Sequence, residues 1–304
     1  MSRVVKLSGV NVFHYYYERI LLFYGLKTEV NMKLIMLCIT GLVLFPLTQS
    51  YAAETVDSGV KTEKEIQDMS DPLAIYTQAG FGLTDKGLNL KVGQAYDTGD
   101  KSTAGMNVIE VKGILGKTLG WRGESSTSDS IDSFRFRNFS SNLTNGRATQ
   151  IDANYNINAN PLVASESADI SYSLIQAFPA VGAFTFYPLA GVGVSIGKDA
   201  IEDDGSIDSG YSTMGAYALV GMYSKIKITD KIWLNYNPFW LTTIAGADNY
   251  TDNYYGLDKS HILTHEFAAS YQINPRANLR YFANFSENVD FLDGDHRIEF
   301  NYQL

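Results

Sequence analysis

Histidine is the residue type in this chain best suited to acid-base catalysis and metal binding. The stretch "SHILTHEF" (260–267) places His261 and His265 four residues apart, with Glu266 beside them. Four residues of an extended strand span about 13 Å, which is too far for two ligands of one metal ion without a bend. A hydrolase would also need a nucleophile and a base oriented by a third group. Because neither this stretch nor "DHRIEF" (295–300) matches such a motif, we predict that the protein is not an enzyme and has no cofactor.

Acidic residues are concentrated in two polar stretches. The first, "GKDAIEDDGSIDSG" (197–210), contains Asp203, Asp204 and Asp208, and the second is "GADNYTDNYYGLDKS" (246–260). Carboxylate and amide oxygens at this density could hold Ca²⁺ or Mg²⁺. Neither stretch has the spacing of an EF-hand, and "DDGSID" lacks the glutamate that ends such a loop. We therefore interpret both stretches as solvated loops and keep the three named aspartates as candidates for a metal site.

Strands rather than helices must position these residues. The chain contains 20 Tyr, 16 Phe and 26 Gly, and such a composition favours strands and turns. In "QIDANYNIN" (150–158), Ile151, Ala153, Tyr155 and Ile157 alternate with polar residues. A two-residue period places successive side chains on opposite faces of a strand. This segment therefore has one apolar face and one polar face.

About twelve such segments follow one another, each roughly as long as a tilted transmembrane strand. They lie near residues 73–83, 87–97, 106–121, 130–141, 147–158, 166–178, 183–196, 211–228, 231–245, 260–273, 277–287 and 294–304. Short connections such as "TNGR" and "NPR" alternate with long polar ones such as "RGESSTSDS" and "ENVDFLDGD". The pattern predicts an all-β fold, an antiparallel transmembrane up-and-down β-barrel of about 12 strands, with 10 as the alternative.

The part of the chain before the strands divides into three segments. We interpret residues 1–31 as an upstream segment that is not native and residues 32–52 as a secretory signal peptide. In the latter, Lys33 precedes an apolar run of about 14 residues, which is short of the roughly 20 that a transmembrane helix needs. Residues 53–72 are polar and are expected to form a periplasmic lead-in. The barrel is predicted to occupy residues 73–304.

The last segment, "HRIEFNYQL" (296–304), explains how such a barrel would close. Ile298, Phe300, Tyr302 and Leu304 form its apolar face. A strand in lipid cannot leave its backbone groups unpaired, so we expect this strand to pair with the first one. The segment resembles the C-terminal assembly signal of bacterial outer-membrane barrels, with Leu304 in place of the usual terminal Phe. The resemblance implies the barrel insertion machinery as a partner.

Two further stretches carry a family resemblance. "FYPLAGVGVS" (186–195) and "GAYALVGMYSKIKITDKIWLNYNPFW" (215–240) resemble the glycine-rich strand and following hairpin of the small outer-membrane barrels that include opacity proteins and the OmpA transmembrane domain. The resemblance covers roughly residues 183–246 and the terminus. It implies the outer membrane of a Gram-negative bacterium, with membrane lipid and lipopolysaccharide as partners. Members of that family commonly have eight strands, whereas this chain is long enough for ten or twelve.

An outer face turned toward lipid sends the charged residues inward. The residues predicted to line the lumen are Lys112, Arg135, Arg137, Asp152, Glu266, Arg280, Arg297 and Glu299, together with Lys91, Glu110, Asp169 and Lys225. Because both signs are present, these side chains could pair and close the interior, or could line a narrow passage for small solutes. We favour pairing. Clustered arginines would make a passage favour anions.

The sequence therefore predicts an outer-membrane barrel with a structural or surface-interaction role through long acidic extracellular loops. The alternative is a porin-like channel for small solutes, and an outer-membrane hydrolase comes third. Nucleic acid is not expected as a partner, because the chain has a net charge of −9 and no basic tract.

Overall fold

A computed structural model of the chain describes residues 66–116 and 132–304. The predicted signal peptide, the upstream segment, the first part of the lead-in and the connection "RGESSTSDS" (122–130) lie outside the described residues. The described residues form a closed barrel of twelve strands in sequence order, and every neighbouring pair is antiparallel. The predicted all-β barrel is confirmed, with twelve strands rather than ten.

The strand bounds follow the alternating segments closely. The strands are Gln78–Thr84 (β1), Gly87–Asp97 (β2), Thr103–Ile114 (β3), Ser133–Asn142 (β4), Arg147–Asn156 (β5), Glu166–Gln176 (β6), Phe184–Ile201 (β7), Ile207–Lys227 (β8), Ile232–Gly246 (β9), His261–Asn274 (β10), Ala277–Ser286 (β11) and Asp295–Gln303 (β12). β3 ends at Ile114, before residue 121, the predicted end. Its ladder with β2 is already irregular at Gly113 (φ 75°), and Leu115, the first residue after the strand, has a left-handed φ of 60° that an extended strand does not adopt.

The barrel closes where the first strand meets the last. Gln78 pairs with Gln303, and the register runs on to Thr84 opposite Arg297. Each strand therefore has two partners and no edge is left free, as a barrel in lipid requires.

The chain enters β1 and leaves β12 at the same end of the barrel, which also carries short connections such as residues 143–146 and 275–276. We call it the turn end. We call the opposite end the loop end; it carries the long connections and also the short β1–β2 turn at residues 85–86.

The two faces of the wall are the reverse of those in a water-soluble barrel. On β12 the side chain of Glu299 is fully buried, whereas Phe300 beside it is 40% exposed. The same inversion holds around the barrel, and exposed apolar side chains on the outer face include Phe81, Val92, Ile109, Phe136, Ile151, Ile170, Leu174, Val192, Val220, Trp240, Leu279 and Ile298. Large apolar side chains exposed on every strand indicate an apolar solvent outside the barrel.

The hairpin of β7 and β8 extends beyond its neighbours at the loop end. Its upper part packs on the connections before β6 and after β9, in a cluster of Val163, Ala164, Ala200, Met214 and Tyr250. The connection after β9 contains a short helix, Asp248–Asn253 (α1). In the described ranges no helix is long and apolar enough to cross a membrane. The hairpin is longer than the sequence predicts because its upper residues are buried by these other connections.

Candidate functional site

A network of buried charges fills the middle of the lumen. Glu110 on β3 accepts from Arg297 on β12 (Nη1 to Oε1, 2.9 Å) and from Arg137 on β4 (Nη2 to Oε2, 3.3 Å). Arg297 also lies 3.4 Å from Glu299, measured from Nε to Oε2, and Lys91 on β2 pairs with Glu299. Because an ionised group buried without a partner is strongly unfavourable, these side chains stabilise one another as a set.

A second group of polar side chains crosses from β4 to β8. Arg135 binds Asp152 on β5 through two hydrogen bonds, of which the Nε to Oδ1 bond is 2.9 Å. Gln150 donates to the same carboxylate at 3.1 Å and accepts from the hydroxyl of Tyr223 at 3.0 Å. Two parallel bonds between guanidinium and carboxylate fix the orientation of both groups. This group therefore holds a second part of the lumen in a defined arrangement.

Arg280 on β11 is cationic but has no ion pair in the described part of the chain. Its Nε donates to Ser270 Oγ at 3.0 Å and its Nη2 to Asn235 Oδ1 at 2.9 Å. The guanidinium also lies 4.6 Å from the ring centre of Phe282, and that of Arg297 lies 4.3 Å from the same centre. Neutral acceptors and an aromatic ring thus hold this side chain in place of a carboxylate.

The backbone hydrogen-bond ladder of the wall is interrupted between β8 and β9, close to the Asn235 side chain that binds Arg280. The ladder between β8 and β9 pairs Gly221 with Phe239 and then Ile226 with Leu234, with no paired residues between. Pro238 lies within the gap and has no backbone N–H to donate. A strand position without its ladder bonds must find other partners inside a barrel wall.

Side chains supply those partners. Asn235 donates to the carbonyl of Ser224 at 2.6 Å, and the N–H of Ser224 donates to Asn237 Oδ1 at 2.9 Å. The Ser224 hydroxyl donates to Tyr236 O at 2.6 Å and accepts from Tyr236 N at 3.0 Å. Asn237 also donates to Glu266 at 2.8 Å. The two asparagines therefore connect the wall with Glu266 and Arg280.

Tyrosines cover the loop end of the lumen. Asp169 on β6 accepts from the hydroxyls of Ser195 and Tyr254, and Tyr250 donates to Ser195 at 3.1 Å. Burial and the negative charge of Asp169 hold the pKa of the Tyr254 phenol well above its usual range. The connection after β9 thus reaches down onto the lumen and binds its upper rim.

The residues before β1 enter the lumen at the turn end. Leu73 packs among inward side chains that include Tyr187, Leu189 and Tyr217. The thioether of Met69 accepts from Gln272 at 3.5 Å and from Asn278 at 3.7 Å. We call residues 66–77 the entering segment. β1 begins at Gln78, so the segment includes the residues from 73 onward that the sequence assigns to the barrel, and it occupies space that an open pore would leave to water.

The entering segment also forms an ion pair. Asp68 accepts from Lys225 on β8 at 2.9 Å and from the N–H of Ser70 at 2.9 Å. Partial burial acts to raise the pKa of Asp68, but the bonds from Ser70 and Lys225 outweigh it, so the pKa lies below its ordinary value. The described side chain of Lys225 therefore has its carboxylate partner on the segment and not on the wall.

The aspartates proposed as metal candidates lie on the tall hairpin. Asp203 accepts from the N–H of Asn249 at 2.8 Å, and Asp204 accepts from the N–H of Ser206 at 2.8 Å. Asp208 lies opposite Ala200 in the β7–β8 ladder. Across residues 66–116 and 132–304, no group of three or more His, Cys, Asp or Glu side chains could hold a metal ion.

The described histidines, His261, His265 and His296, point outward and not into the lumen. His265 lies between Tyr236 and Phe285, with ring centres 5.9 and 4.8 Å away, and its Nδ1 is 2.9 Å from the Tyr236 hydroxyl. His296 is held in a similar way, with Nδ1 2.8 Å from the hydroxyl of Tyr281. His261 lies against Trp240 on the same side of the barrel. These rings therefore belong to an aromatic outer surface.

The alternating sequence pattern assigns the predicted site residues to the inner or the outer face of the barrel, and several of them lie on the assigned face. The eight residues predicted to line the lumen lie on inward positions, and all except Arg280 and Glu266 form ion pairs. Ile298, Phe300 and Tyr302 face outward, and Leu304 lies at the turn end, where its N–H donates to Thr77 O. Their role as an assembly signal stays a prediction.

The roles of several other residues could not be predicted from the sequence. Asp68, Ser224, Asn235 and Asn237 are polar residues in polar surroundings, and nothing in their spacing reveals their partners. The nearest signal is "NYNP" (235–238), in which two inward asparagines precede a proline within a strand. A proline there predicts a local loss of ladder bonds, and the asparagines beside it supply amide groups to replace them.

Fold and charge distribution together define the class of the molecule, a closed twelve-stranded barrel with an apolar outer face and a charged lumen. No protein-family model matches the sequence, and no curated protein matches it. Solved outer-membrane barrels have a similar fold. They include the NanC porin, with 10% identity over 76% of this chain and 100% of that chain at a TM-score of 0.45.

Two further solved barrels are similar to this chain. The KdgM porin has 7% identity over 76% of this chain and 99% of that chain, with a TM-score of 0.40. The translocator domain of the autotransporter NalP from Neisseria meningitidis has 12% identity over 76% of this chain and 87% of that chain, with a TM-score of 0.40. These similarities concern the fold alone. The resemblance of residues 183–246 to opacity proteins stays a prediction.

Proposed function

We propose that this protein is an outer-membrane β-barrel of a Gram-negative bacterium that acts at the cell surface through its acidic loops. The apolar outer face supports the membrane location, because its exposed side chains would be unfavourable in water. In this orientation the turn end lies in the periplasm and the loop end meets lipopolysaccharide and the exterior.

The packing of the loop end supports a surface role. Asn249 on α1 donates to Leu162 O at 3.0 Å and to Ile201 O at 2.9 Å. Asn160 donates to the carbonyl of Asn253 at 2.7 Å. Three connections that are distant in sequence thus form one ordered surface. An ordered surface can bind a partner with a smaller loss of conformational entropy than separate flexible loops.

Charge decides which partner suits this surface. Its described acidic residues are Asp199, Glu202, Asp203, Asp204, Asp208, Asp248, Asp252 and Asp258. Such a density of negative charge attracts a cationic protein or polymer and raises its rate of association. Divalent cations that also bind lipopolysaccharide phosphates could reach the same carboxylates from solution.

The single observation that favours this role over an open pore is the filling of the lumen. Glu299, Glu110 and Arg297 are buried as ion pairs in the centre, while the entering segment and Tyr254 bind the two ends. A passage for ions requires a continuous water-filled path. Side chains held in this way leave little room for one.

Binding to immobilised polylysine tests the surface role. Protein purified from outer membranes should bind, and the double variant Asp203→Asn with Asp204→Asn should bind less well. The matched control is Asp97→Asn with Asp100→Asn, which removes equal charge at the turn end. Equal binding by the two double variants would contradict a role for the acidic loops.

Planar-bilayer conductance tests the channel alternative. The purified protein should give no steady openings. Reproducible openings with an anion preference that falls in the Arg280→Ala, Arg297→Ala double variant would instead assign the lumen to solute passage. That result would overturn the proposal that the lumen is closed.

A further inference from the structure

Two lumen cations differ from all the others. Lys91, Lys112, Arg135, Arg137 and Arg297 each pair with a carboxylate that belongs to the barrel wall. Lys225 pairs only with Asp68 of the entering segment. Arg280 has no carboxylate within ion-pair distance in the described part of the chain.

These two cations lie on either side of Asn235. The β8–β9 register pairs Ile226 with Leu234, which brings Lys225 to the level of Asn235. Arg280 Nη2 donates to the amide of Asn235 at 2.9 Å. Glu266 is a carboxylate of the wall close to this position. It accepts from Asn237 and not from either cation. Two positive charges therefore share one part of the turn end, and in the described part of the chain neither forms an ion pair with a carboxylate of the wall.

The entering segment spans the same region. Near the beginning of the segment, Asp68 accepts from Lys225 at 2.9 Å, and Met69 beside it contacts Gln272 and Asn278 of the wall. A cavity of about 350 Å³ remains between the segment and the wall; Asp68, Lys225 and Trp233 are among its lining residues, whereas Arg280 is not. The segment thus places the carboxylate of Asp68 against Lys225, and Arg280 lies on the other side of Asn235.

We propose that Lys225 and Arg280 form an anion-binding site for a small solute bearing carboxylate or phosphate groups, and that Asp68 occupies this site as a tethered competitor. The bound carboxylate of Asp68 demonstrates which chemistry the site accepts. Arg280 suits the same chemistry, since guanidinium groups bind carboxylate and phosphate oxygens with directional bonds. Its Nη1 has no hydrogen-bond partner among the described residues and is free to donate to a solute.

The contact that covers the site is weak enough to be displaced. The side chain of Asp68 is 62% exposed, whereas that of Lys225 is 17% exposed. Ion pairs with an exposed partner contribute little, because water screens them. A solute with two or more anionic groups can engage both cations, whereas the single carboxylate of Asp68 engages one.

Titration of the purified protein with citrate and, separately, with inorganic phosphate tests this site at constant ionic strength. The fluorescence of Trp233 reports binding, because this side chain is buried at the cavity; Trp240 and Trp121 are replaced by Phe. Asp68→Asn should bind about threefold to fivefold more tightly than the parent, since the competitor is lost. The anion that binds identifies the class of solute.

Removal of a positive charge from the wall should weaken anion binding instead. Lys225→Met should abolish most of the binding, and Arg280→Lys should retain more of it than Arg280→Met. Lys231→Met is the matched control, because it removes one exposed positive charge at the turn end and should leave binding unchanged. Heat-dependent mobility on SDS gels checks that each variant is folded.

The proposal is overturned if neither anion binds to the parent or to Asp68→Asn, or if Asp68→Asn binds no better than the parent. Asp68→Asn alters an exposed side chain of the segment, so a failure to fold does not obscure the result. The inference is independent of the surface role, because polylysine binding reports only on the loop end. Anion binding without conductance would retain both proposals, and conductance induced by citrate would retain the site but overturn the permanently closed lumen.

Discussion

Arg297 donates to Glu110 at 2.9 Å across the lumen, although their strands are not neighbours in the barrel. β12 and β3 are separated by β1 and β2, so this ion pair connects residues on both sides of the closure. Backbone pairing joins only adjacent strands. The ion pair therefore braces the closed wall from inside, at the place where the first and last strands meet.

Glu110→Gln should destabilise the barrel strongly. The change would leave Arg297, Arg137 and Lys112 around a neutral side chain, and breaking a buried ion pair by removal of one partner is unfavourable by about 3–5 kcal/mol. Urea unfolding in detergent micelles, followed by circular dichroism, measures the loss. Glu202→Gln, at an exposed loop position, is the control. A loss no larger than that of the control would show that the network contributes little.

Ser224→Ala should weaken the split part of the wall. The hydroxyl of Ser224 satisfies both backbone groups of Tyr236, and buried groups left without partners reduce stability by about 1–3 kcal/mol each. Hydrogen exchange should therefore become faster at the amide of Tyr236. Ser140→Ala, on β4, is the control, since its hydroxyl makes no hydrogen bond with the described residues. An unchanged exchange rate at the Tyr236 amide would show that the Ser224 hydroxyl does not join the two strands at this point.

Asp85→Asn should stabilise the protein above pH 6 and have little effect below pH 4. Burial, together with the nearby carboxylate of Asp295, raises the pKa of Asp85 to about 6. The native state then holds this proton more tightly than the unfolded state, so wild-type stability falls as the pH rises from about 4 to 6.

The expected gain in the free energy of unfolding at pH 8 is about 1 kcal/mol, because water near this partly exposed turn screens the repulsion. Urea unfolding midpoints of Asp85→Asn and of the unsubstituted protein at pH 3.5 and pH 8 measure this gain. Asp97→Asn, on the opposite end of the barrel, provides the comparison. A gain that is the same at both pH values would rule out the titration of Asp85 as its cause.

Tyr250→Ala should loosen the loop end without unfolding the barrel. Tyr250 is 2% exposed and packs in the cluster below α1, and removal of a buried aromatic side chain costs about 3–5 kcal/mol of packing. Limited proteolysis should then cut within residues 246–260, while the strands remain protected. Tyr211→Ala, which removes an exposed ring, should leave the cutting pattern unchanged. Intact loops in Tyr250→Ala would contradict the assigned packing.

The sequence predicts the wall far better than it predicts the ends. Alternation such as that of Ile151, Ala153 and Tyr155 is local, so it identifies the strand and its inward face without knowledge of any partner. The pairing of Arg135 with Asp152 depends on the register of β4 against β5, which alternation leaves open. The extra length of β7 and β8 depends on packing against Val163 and Tyr250, which are distant in sequence.

Polar composition also conceals the entering segment. "QDMSDP" (67–72) reads as a solvated lead-in, yet Met69 is buried in the lumen, as is Leu73 directly after it. Two apolar side chains are too few to give a periodic signal, and their sites are created only when the barrel has formed. Long-range contacts of this kind cannot be inferred from local composition.

The two amide bridges at the split wall have an evolutionary consequence. Asn235 binds the backbone of β8 with one end of its amide and Arg280 with the other. A mutation at this codon therefore changes the cohesion of the wall and the charge environment of the lumen in a single step. A substitution at Asn235 that changes the surroundings of Arg280 must also supply a new donor to the Ser224 carbonyl if the wall is to stay closed at this point.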